Sequence, residues 1–422
     1  MAEQVFSLRG RALKLDTAED VKKHISALES NPDVEEVHFE GNTFGVSACE
    51  YLADVLATKS KLRLANLADL FTGRLLSEIP QALHALLTAL LKCEKLETIN
   101  LNDNAFGLNT VEPLRPFLSQ HAPLRHLYLN NNGLGPTAGT YVAEALEKLA
   151  AQKAAARKEG KNVPDLETVV CGRNRLEVGS MAAWVKAYTA NNKVRTIKMV
   201  QNGIRPEGVK VLLAEGLVHC KELEVLDLQD NTFTSLAGKT LADVVTAWPA
   251  LIELGVSDTL LSARSGLALA ASLSKGENKK LEVLRLQFDE IDAKGVKAFA
   301  DAADTTALPR LRRIELNGNK FLEEDPNIER LRELLEKRKE ESASEYAHVD
   351  EDDEEAWGVD ELDELEEDED DEDEAEEEEE ELEKKEESIV KQAEQAESQP
   401  VAQQKDTDVD ELADALSKTQ IK

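Results

Sequence analysis

Six side chains capable of chemistry recur at near-constant spacing. Asp103, Asn131, Arg173, Gln201, Asp230 and Asp258 stand 28, 42, 28, 29 and 28 residues apart, and Phe288 and Gly318 continue the series. Carboxylate, amide and guanidinium groups are hydrogen-bonding and charge-pairing groups. No nucleophile with an adjacent base is legible among them, so the set suits gripping a protein partner better than transforming a small molecule.

Elsewhere the chemistry is thin. The seven histidines show no metal-ligand spacing, and the adjacent His219-Cys220 reads as structural. Gly238-Lys239-Thr240 resembles the end of a phosphate-binding loop, but Phe233 stands where the first glycine of G-x-x-x-x-G-K-T belongs. Ala237 to Leu241 also aligns with Ala138 to Val142 as the start of a helix. No metal and no cofactor are expected.

The elements that position the series come from a repeat. Each member lies one residue before the ninth position of the template L-x-x-L-x-L-x-x-N, which falls at Asn42, Leu70, Asn104, Asn132, Asn174, Asn202, Asn231, Thr259, Asp289 and Asn319. Ten matches in near-constant register identify leucine-rich repeats. L-x-x-L-x-L is a short strand with its leucines in the core. The Asn that ends it is expected to satisfy backbone groups of its own turn and the adjacent one. Leu70 cannot do this, and Thr259 and Asp289 can do it only partly. Tyr141 to Leu146, Val211 to Leu217 and Leu241 to Val245 carry apolar residues at helical spacing. The expected fold is an α/β solenoid, a ribonuclease-inhibitor-like horseshoe with a parallel sheet on the concave face and helices on the convex face. Stacking would align the six residues along one solvent-facing edge, where nothing in such a fold demands polarity.

Two intervals are long. The 34 residues after Leu70 hold Phe71-Thr72-Gly73-Arg74 and a helix from about Ser77 to Cys93. The 42 after Asn132 extend a convex helix and its return through Ala150 to Pro164. Arg74, in a turn of small residues beside the same edge, is a candidate for gripping a carboxylate or phosphate. Residues 1–20 read as an N-terminal cap, and Ile328 to Arg338 as a closing helix.

Net charge is -34, but residues 350–383 hold 26 Asp and Glu and no Lys or Arg; the remainder, 58 acidic against 50 basic, carries only -8. Nucleic acid is electrostatically disfavoured as a ligand, whereas a basic protein partner is not. The expected division is a repeat domain over 1–341 and a disordered acidic tail over 342–422, in which Val409, Leu412, Ala413 and Leu416 form a short helical stripe. The four cysteines form no CxxC pair, no signal peptide is evident, and no apolar run reaches the roughly 18 residues a membrane span needs. A cytoplasmic monomer is expected.

Several strings go beyond the generic repeat: Phe71-Thr72-Gly73-Arg74 with Glu78-Ile79-Pro80, Asp103 to Gly107, His126 to Pro136, Cys171 to Glu177, Met199 to Gly208, and Asp227 to Phe233. With these, the chain resembles the fungal-type Ran GTPase-activating proteins over roughly residues 5 to 340 and on into the acidic segment. The resemblance implies an activator of Ran in its GTP-bound form, alone or with a Ran-binding protein, that does not itself hydrolyse GTP and serves nucleocytoplasmic transport. It further implies that Asn131 steadies the catalytic glutamine of Ran, that Arg74 anchors the complex rather than acting as a finger, and that Asp103, Arg173, Gln201, Asp230 and Asp258 bind the partner. The acidic tail would engage basic segments. Leu76 stands where comparable members carry a basic residue, so an ion pair from that position is not expected. The chain ends soon after the acidic run, so tethering through a C-terminal domain is not expected either.

Two rival readings weigh less. An acidic-tailed repeat chaperone for basic proteins fits the tail but has no use for Phe71 to Arg74. A ribonuclease-inhibitor-like binder shares the repeat length but is rich in cysteine.

Overall fold

The computed structural model describes residues 4–346, 349 and 353–366, which belong to one compact unit spanning Met1–Asp368. Twelve short strands lie parallel in a single sheet, in chain order: Val5–Ser7, Glu36–His38, Leu64–Asn66, Thr98–Asn100, His126–Tyr128, Thr168–Val170, Thr196–Lys198, Val225–Asp227, Glu253–Gly255, Val283–Arg285, Arg313–Glu315 and Gly358–Val359. The pairing keeps one register throughout. Ile99, Leu127, Val169, Ile197, Leu226, Leu254, Leu284 and Ile314 stand side by side, each essentially inaccessible to water. Because successive side chains in a strand point to opposite faces, the residues flanking this row stand on the open face of the sheet.

Between strands the chain returns through helices, including Val46–Leu56, Ile79–Leu90, Gly135–Lys158, Met181–Ala190, Thr234–Val244, Ala263–Leu273 and Ala293–Asp304. Helices pack about 8–10 Å apart whereas strands pair at about 4.8 Å, so the helical layer is the wider one and the sheet lies inside the curve. Pro80, Pro136 and Pro206 stand in the first turns of their helices, where a missing N–H costs no bond. The 42-residue interval is filled by the 24-residue helix Gly135–Lys158. From it Lys153 reaches back to the carbonyls of Ala122, Leu124 and Pro164 (2.7, 2.5 and 2.8 Å), and burial pushes its pKa down to about 7.

At the rim where the strands begin, a row of alternating charge crosses the repeats. Arg125 pairs with Glu167 at 2.9 Å and with Glu97 at 3.8 Å, Arg63 reaches the same Glu97 at 3.8 Å, and Arg195 pairs with Glu224 at 3.6 Å. Such half-exposed pairs contribute about 0–1 kcal/mol each, and a one-residue slip would take each charge off its partner.

Helices stand at both ends of the array. Thr17 and Asp20 make a capping box at the start of Ala18–Ser30, and Val5–Ser7 ahead of it joins the sheet. The closing helix is Pro326–Ser342. The boundary expected at residue 341 does not hold. Tyr346, Trp357 and Leu362 are buried, with the Tyr346 and Trp357 rings edge to face at 5.3 Å. Gly358–Val359 adds the twelfth strand, and Asp360 accepts from Leu316 N–H (2.7 Å), Asn317 N–H (3.1 Å) and Gln287 Nε2 (2.9 Å). Composition misled because the acidic stretch past residue 342 conceals three apolar anchors and one carboxylate that receives the N–H groups just after the eleventh strand. The remainder of the acidic tail and the stripe at Val409 to Leu416 lie outside the described residues.

The four cysteines are unpaired and buried, and burial pushes Cys93 up to about 11 and Cys171 and Cys220 up to about 12. No helix among the described residues is long and apolar enough to cross a membrane.

Candidate functional site: the strand-end edge

The three consecutive asparagines of the fifth strand's turn have different employments. Asn132 is wholly buried. Its Nδ2 donates to Leu101 O and Leu129 O at 3.0 Å each, and its Oδ1 accepts from Asn104 N–H at 3.0 Å. The same arrangement runs from Asn42 through Asn104, Asn174, Asn202 and Asn231 to Asn319, each rung bonding the repeat before it. These amides satisfy backbone groups that would cost about 1–3 kcal/mol each if buried unpaired. Asn130 belongs to a second, outer set, its Oδ1 accepting from Gly172 N–H and its own N–H donating to Asn102 Oδ1 at 2.8 Å. Asn131 has one side-chain bond, from Nδ2 to Asp103 Oδ1 at 2.9 Å.

Three rungs are substituted, as the template match indicates. Leu70 supplies only its backbone, donating to Asn104 Oδ1 at 2.9 Å. Thr259 and Asp289 make a joint rung. Asp289 Oδ1 accepts from Thr259 N–H (3.0 Å) and Oγ1 (2.8 Å), while the buried Oδ2 has no partner among the described residues. Burial raises the pKa of Asp289 to about 7, against the pull of the Thr259 bonds.

The column of residues before the rungs is aligned as expected, but for a reason the repeat pattern conceals. Asp103, Asn131, Arg173, Gln201, Asp230, Asp258 and Phe288 all have φ between 52° and 61°, and Gly318 has φ 72°. The chain must turn through the left-handed region at this point to leave the strand for the helix. The fold therefore does demand something here, since Asn, Asp and Gly tolerate that conformation best. Asp103, Asn131, Asp230 and Asp258 are thus partly accounted for by backbone geometry. Arg173, Gln201 and Phe288 are not. Each carries about 1 kcal/mol or more of strain, and those side chains are the ones whose presence points to a surface role. Phe288 is 42% exposed, and its ring lies over Gly318, where an added Cβ would meet it at 2.1 Å.

Within the column two groups form. Asp103 holds Asn131. Further along, the side chains of Gln201, Arg173 and Asp258 stand close enough to Asp230 to act on its charge. Partial burial, then the Asp258 carboxylate, raise the Asp230 pKa, against the pull of the Gln201 amide and the Arg173 charge. Arg173 is exposed and makes no side-chain hydrogen bond or ion pair among the described residues. It is the column's available cation.

Arg74 departs from expectation. Its side chain is only 7% exposed, turned back into the fold rather than held out along the edge. Nε donates to Thr43 Oγ1 (2.8 Å), Nη2 to Thr43 O (3.0 Å) and Leu15 O (3.3 Å), and Nη1 to Asp16 Oδ1. Gly45 makes room, since an added Cβ there would come within 2.9 Å of Asp16 O and 3.2 Å of Arg74 Nη1. The residue joins the second and third strand-end turns to the cap. A planar fork meeting four acceptors on three residues explains why arginine stands there. The loop instead exposes Leu75 and Leu76, at 68% and 61%, and the loop after the next rung exposes Leu108. Periodicity had no means of marking these leucines, which belong to no repeat position.

The remaining sequence candidates resolve as structure. Gly238 lies inside the helix Thr234–Val244, where an added Cβ would strike Ser265 at 2.6 Å, so it permits helix contact and cradles no phosphate. Cys220 is buried, and no group of three or more His, Cys, Asp or Glu among the described residues could hold a metal. A cavity of about 310 Å³ opens beside Lys153, Arg157 and Asn191 between neighbouring helices, away from the column.

No family model matches the chain. It is similar to Ran GTPase-activating protein 1 of Saccharomyces cerevisiae, 40% identical over 338 residues that cover 78% of this chain and 81% of that one. Ran GTPase-activating protein of Drosophila melanogaster is 32% identical over 76% of this chain and 53% of its own length, and Ran GTPase-activating protein 2 of Caenorhabditis elegans is 41% identical over 48% and 21%. The chain thus spans about half or less of these two animal relatives. Among solved structures, the leucine-rich repeat-containing protein LegL7 of Legionella pneumophila aligns over 77% of this chain and 97% of that one at 16% identity, with a TM-score of 0.43.

Proposed function

The chain belongs to the Ran GTPase-activating protein family, and from that premise we propose that it accelerates GTP hydrolysis by Ran in its GTP-bound form, alone or with a Ran-binding protein, without hydrolysing GTP itself. A GTPase needs its attacking water oriented and the charge on the transferring phosphoryl group stabilised. The column supplies groups for docking, and Asn131 supplies the neutral amide that steadies the GTPase's own glutamine. The observation that carries this reading is Asn131 itself. Between two asparagines committed to the backbone, it keeps on an exposed turn a side-chain carbonyl with no partner among the described residues.

Arg74 acts indirectly. With four N–H groups bonded inside the fold, it secures the loop Phe71 to Glu78 beside the edge rather than entering the nucleotide site as a finger. Arg173, Gln201, Asp230 and Asp258 dock the partner while Asp103 stands on the same edge bonded to Asn131, the acidic tail engages basic segments of the partner, and the protein works as a cytoplasmic monomer.

Single-turnover hydrolysis of GTP on Ran tests the reading, with activator varied to saturation. The expected result is acceleration of several orders of magnitude, the range GTPase activators reach. No acceleration by the intact protein overturns it.

A further inference from the structure

We propose that Asp103 is a positioning residue that fixes the polarity of the Asn131 amide, so that Asn131 presents a hydrogen-bond acceptor to the GTPase. The inference rests on the function proposed above. An ionised carboxylate only accepts hydrogen bonds, so the 2.9 Å contact with Asp103 Oδ1 must be made by the NH₂ end of Asn131. That choice is forced by chemistry, whereas an isolated exposed amide would be free to flip. With Nδ2 held, Oδ1 is left without a partner among the described residues. The group it meets is therefore a donor, such as a side-chain amide NH₂ or a hydroxyl, and never a phosphate or carboxylate oxygen.

The two residues are held for this. Both lie in the left-handed conformation, at φ 61° and 53°, so both side chains leave the strand ends in the same sense. Their backbones are pinned one repeat onward, Asp103 N–H to Asn130 O at 3.0 Å and Asn131 N–H to Gly172 O at 2.9 Å. Neither side chain has another partner among the described residues. A bond to a charged acceptor is also stronger than one between neutral groups, which lets an exposed amide keep one orientation before a partner arrives. Orientation fixed in advance is what a group acting only in the transition state requires.

Single-turnover hydrolysis on GTP-loaded Ran at saturating activator separates maximal rate from half-saturation for Asp103→Ala, Asp103→Asn, Asn131→Ala and the double alanine variant. Asp103→Ala should lower the maximal rate about tenfold with little change in half-saturation. Asp103→Asn, which keeps an acceptor in place, should recover most of that loss. The double variant should be no slower than Asn131→Ala, because residues acting as a unit are non-additive. A rise in half-saturation alone, or additive losses, would overturn the proposal and make Asp103 a direct docking contact. A second readout needs no activity: the Asn131 side-chain NH₂ protons, seen by nitrogen-edited NMR on the free protein, should be shifted and slow to exchange in the wild type and lose both properties in Asp103→Ala. If the wild type fails to accelerate hydrolysis, the functional reading falls. The NMR comparison then decides the orientation claim separately, unchanged NH₂ signals in Asp103→Ala refuting it.

Discussion

The guanidinium of Arg74 lies against the carboxylate of Asp16, which precedes it by 58 residues, and the same side chain donates to Thr43 and to Leu15 O. Arg74→Ala should therefore lower stability by about 1–3 kcal/mol, because two carbonyls, a hydroxyl and the Asp16 carboxylate each lose one donor together. Urea unfolding measures this. Asp16→Ala should cost less, since the Asp16 side chain is half exposed and water screens its charge. Arg74→Lys should recover little, as one ammonium cannot span the same acceptors. Wild-type stability in Arg74→Ala would restore the possibility that the residue acts at the partner surface.

The neighbouring asparagines should separate stability from rate. Asn132→Ala leaves the buried Asn104 N–H without a partner and takes one of two amide donors from each of Leu101 O and Leu129 O, and should cost about 1–3 kcal/mol. Asn131→Ala loses one exposed bond and should cost about 1 kcal/mol or less, mostly through alanine's poor fit to φ 53°. Its maximal rate of activated hydrolysis should nevertheless fall more than its affinity for Ran. An unchanged rate at saturation would remove the role given to Asn131.

The substituted rung should make stability depend on pH. The folded-state pKa of Asp289, raised to about 7, exceeds the value of about 3.9 for an unfolded chain. Holding the proton in the fold therefore favours the native state most at low pH. The cost of ionising the buried carboxylate builds as pH rises from about 4 and is complete above about 7. Asp289→Asn restores an amide where Oδ2 has no partner, and should stabilise the protein by about 1–4 kcal/mol at pH 8 relative to its effect at pH 4. Calorimetry of both proteins across this range is the measurement. A variant that gains nothing at alkaline pH would show that the wild-type carboxylate finds a donor.

Two truncations should behave differently. Ending the chain after Glu366 keeps Tyr346, Trp357, Asp360 and Leu362 in place and should leave thermal stability close to that of the full chain. Ending it after Ser342 strips those anchors and the twelfth strand, exposing apolar surface of the last repeat and two unpaired N–H groups. That protein should melt several degrees lower, since about 1 kcal/mol shifts the midpoint by a few degrees even in large domains. Equal melting of the two would mean that the strand adds nothing.

Much of this architecture is legible in the chain. Ten rungs at near-constant interval establish a parallel sheet with helices behind it, because a strand period of two, an amide at the turn and a helix-length return allow few other packings. Register alone also separates Asn132 from Asn131 and marks Leu70, Thr259 and Asp289 as imperfect rungs. These are local facts, repeated until they become unmistakable.

What the chain could not declare by itself lies in contacts that no period describes. Arg74 looks available from its neighbours in sequence, and only folding brings Asp16, Leu15 and Thr43 to its guanidinium. The acidic stretch past residue 342 has the composition of a disordered tail, yet three apolar side chains and Asp360 find partners on the last repeat, and three such anchors are too few to alter a composition. The edge column looks like polarity free of structural duty, whereas a left-handed turn at every member shows the backbone choosing among Asn, Asp and Gly before function does. Periodicity reports which residues share a face. Tertiary structure decided which of them were already occupied, because hydrogen-bond partners are set by proximity in space, and it left Asn131, Asp103 and Arg173 as the groups with something still to offer.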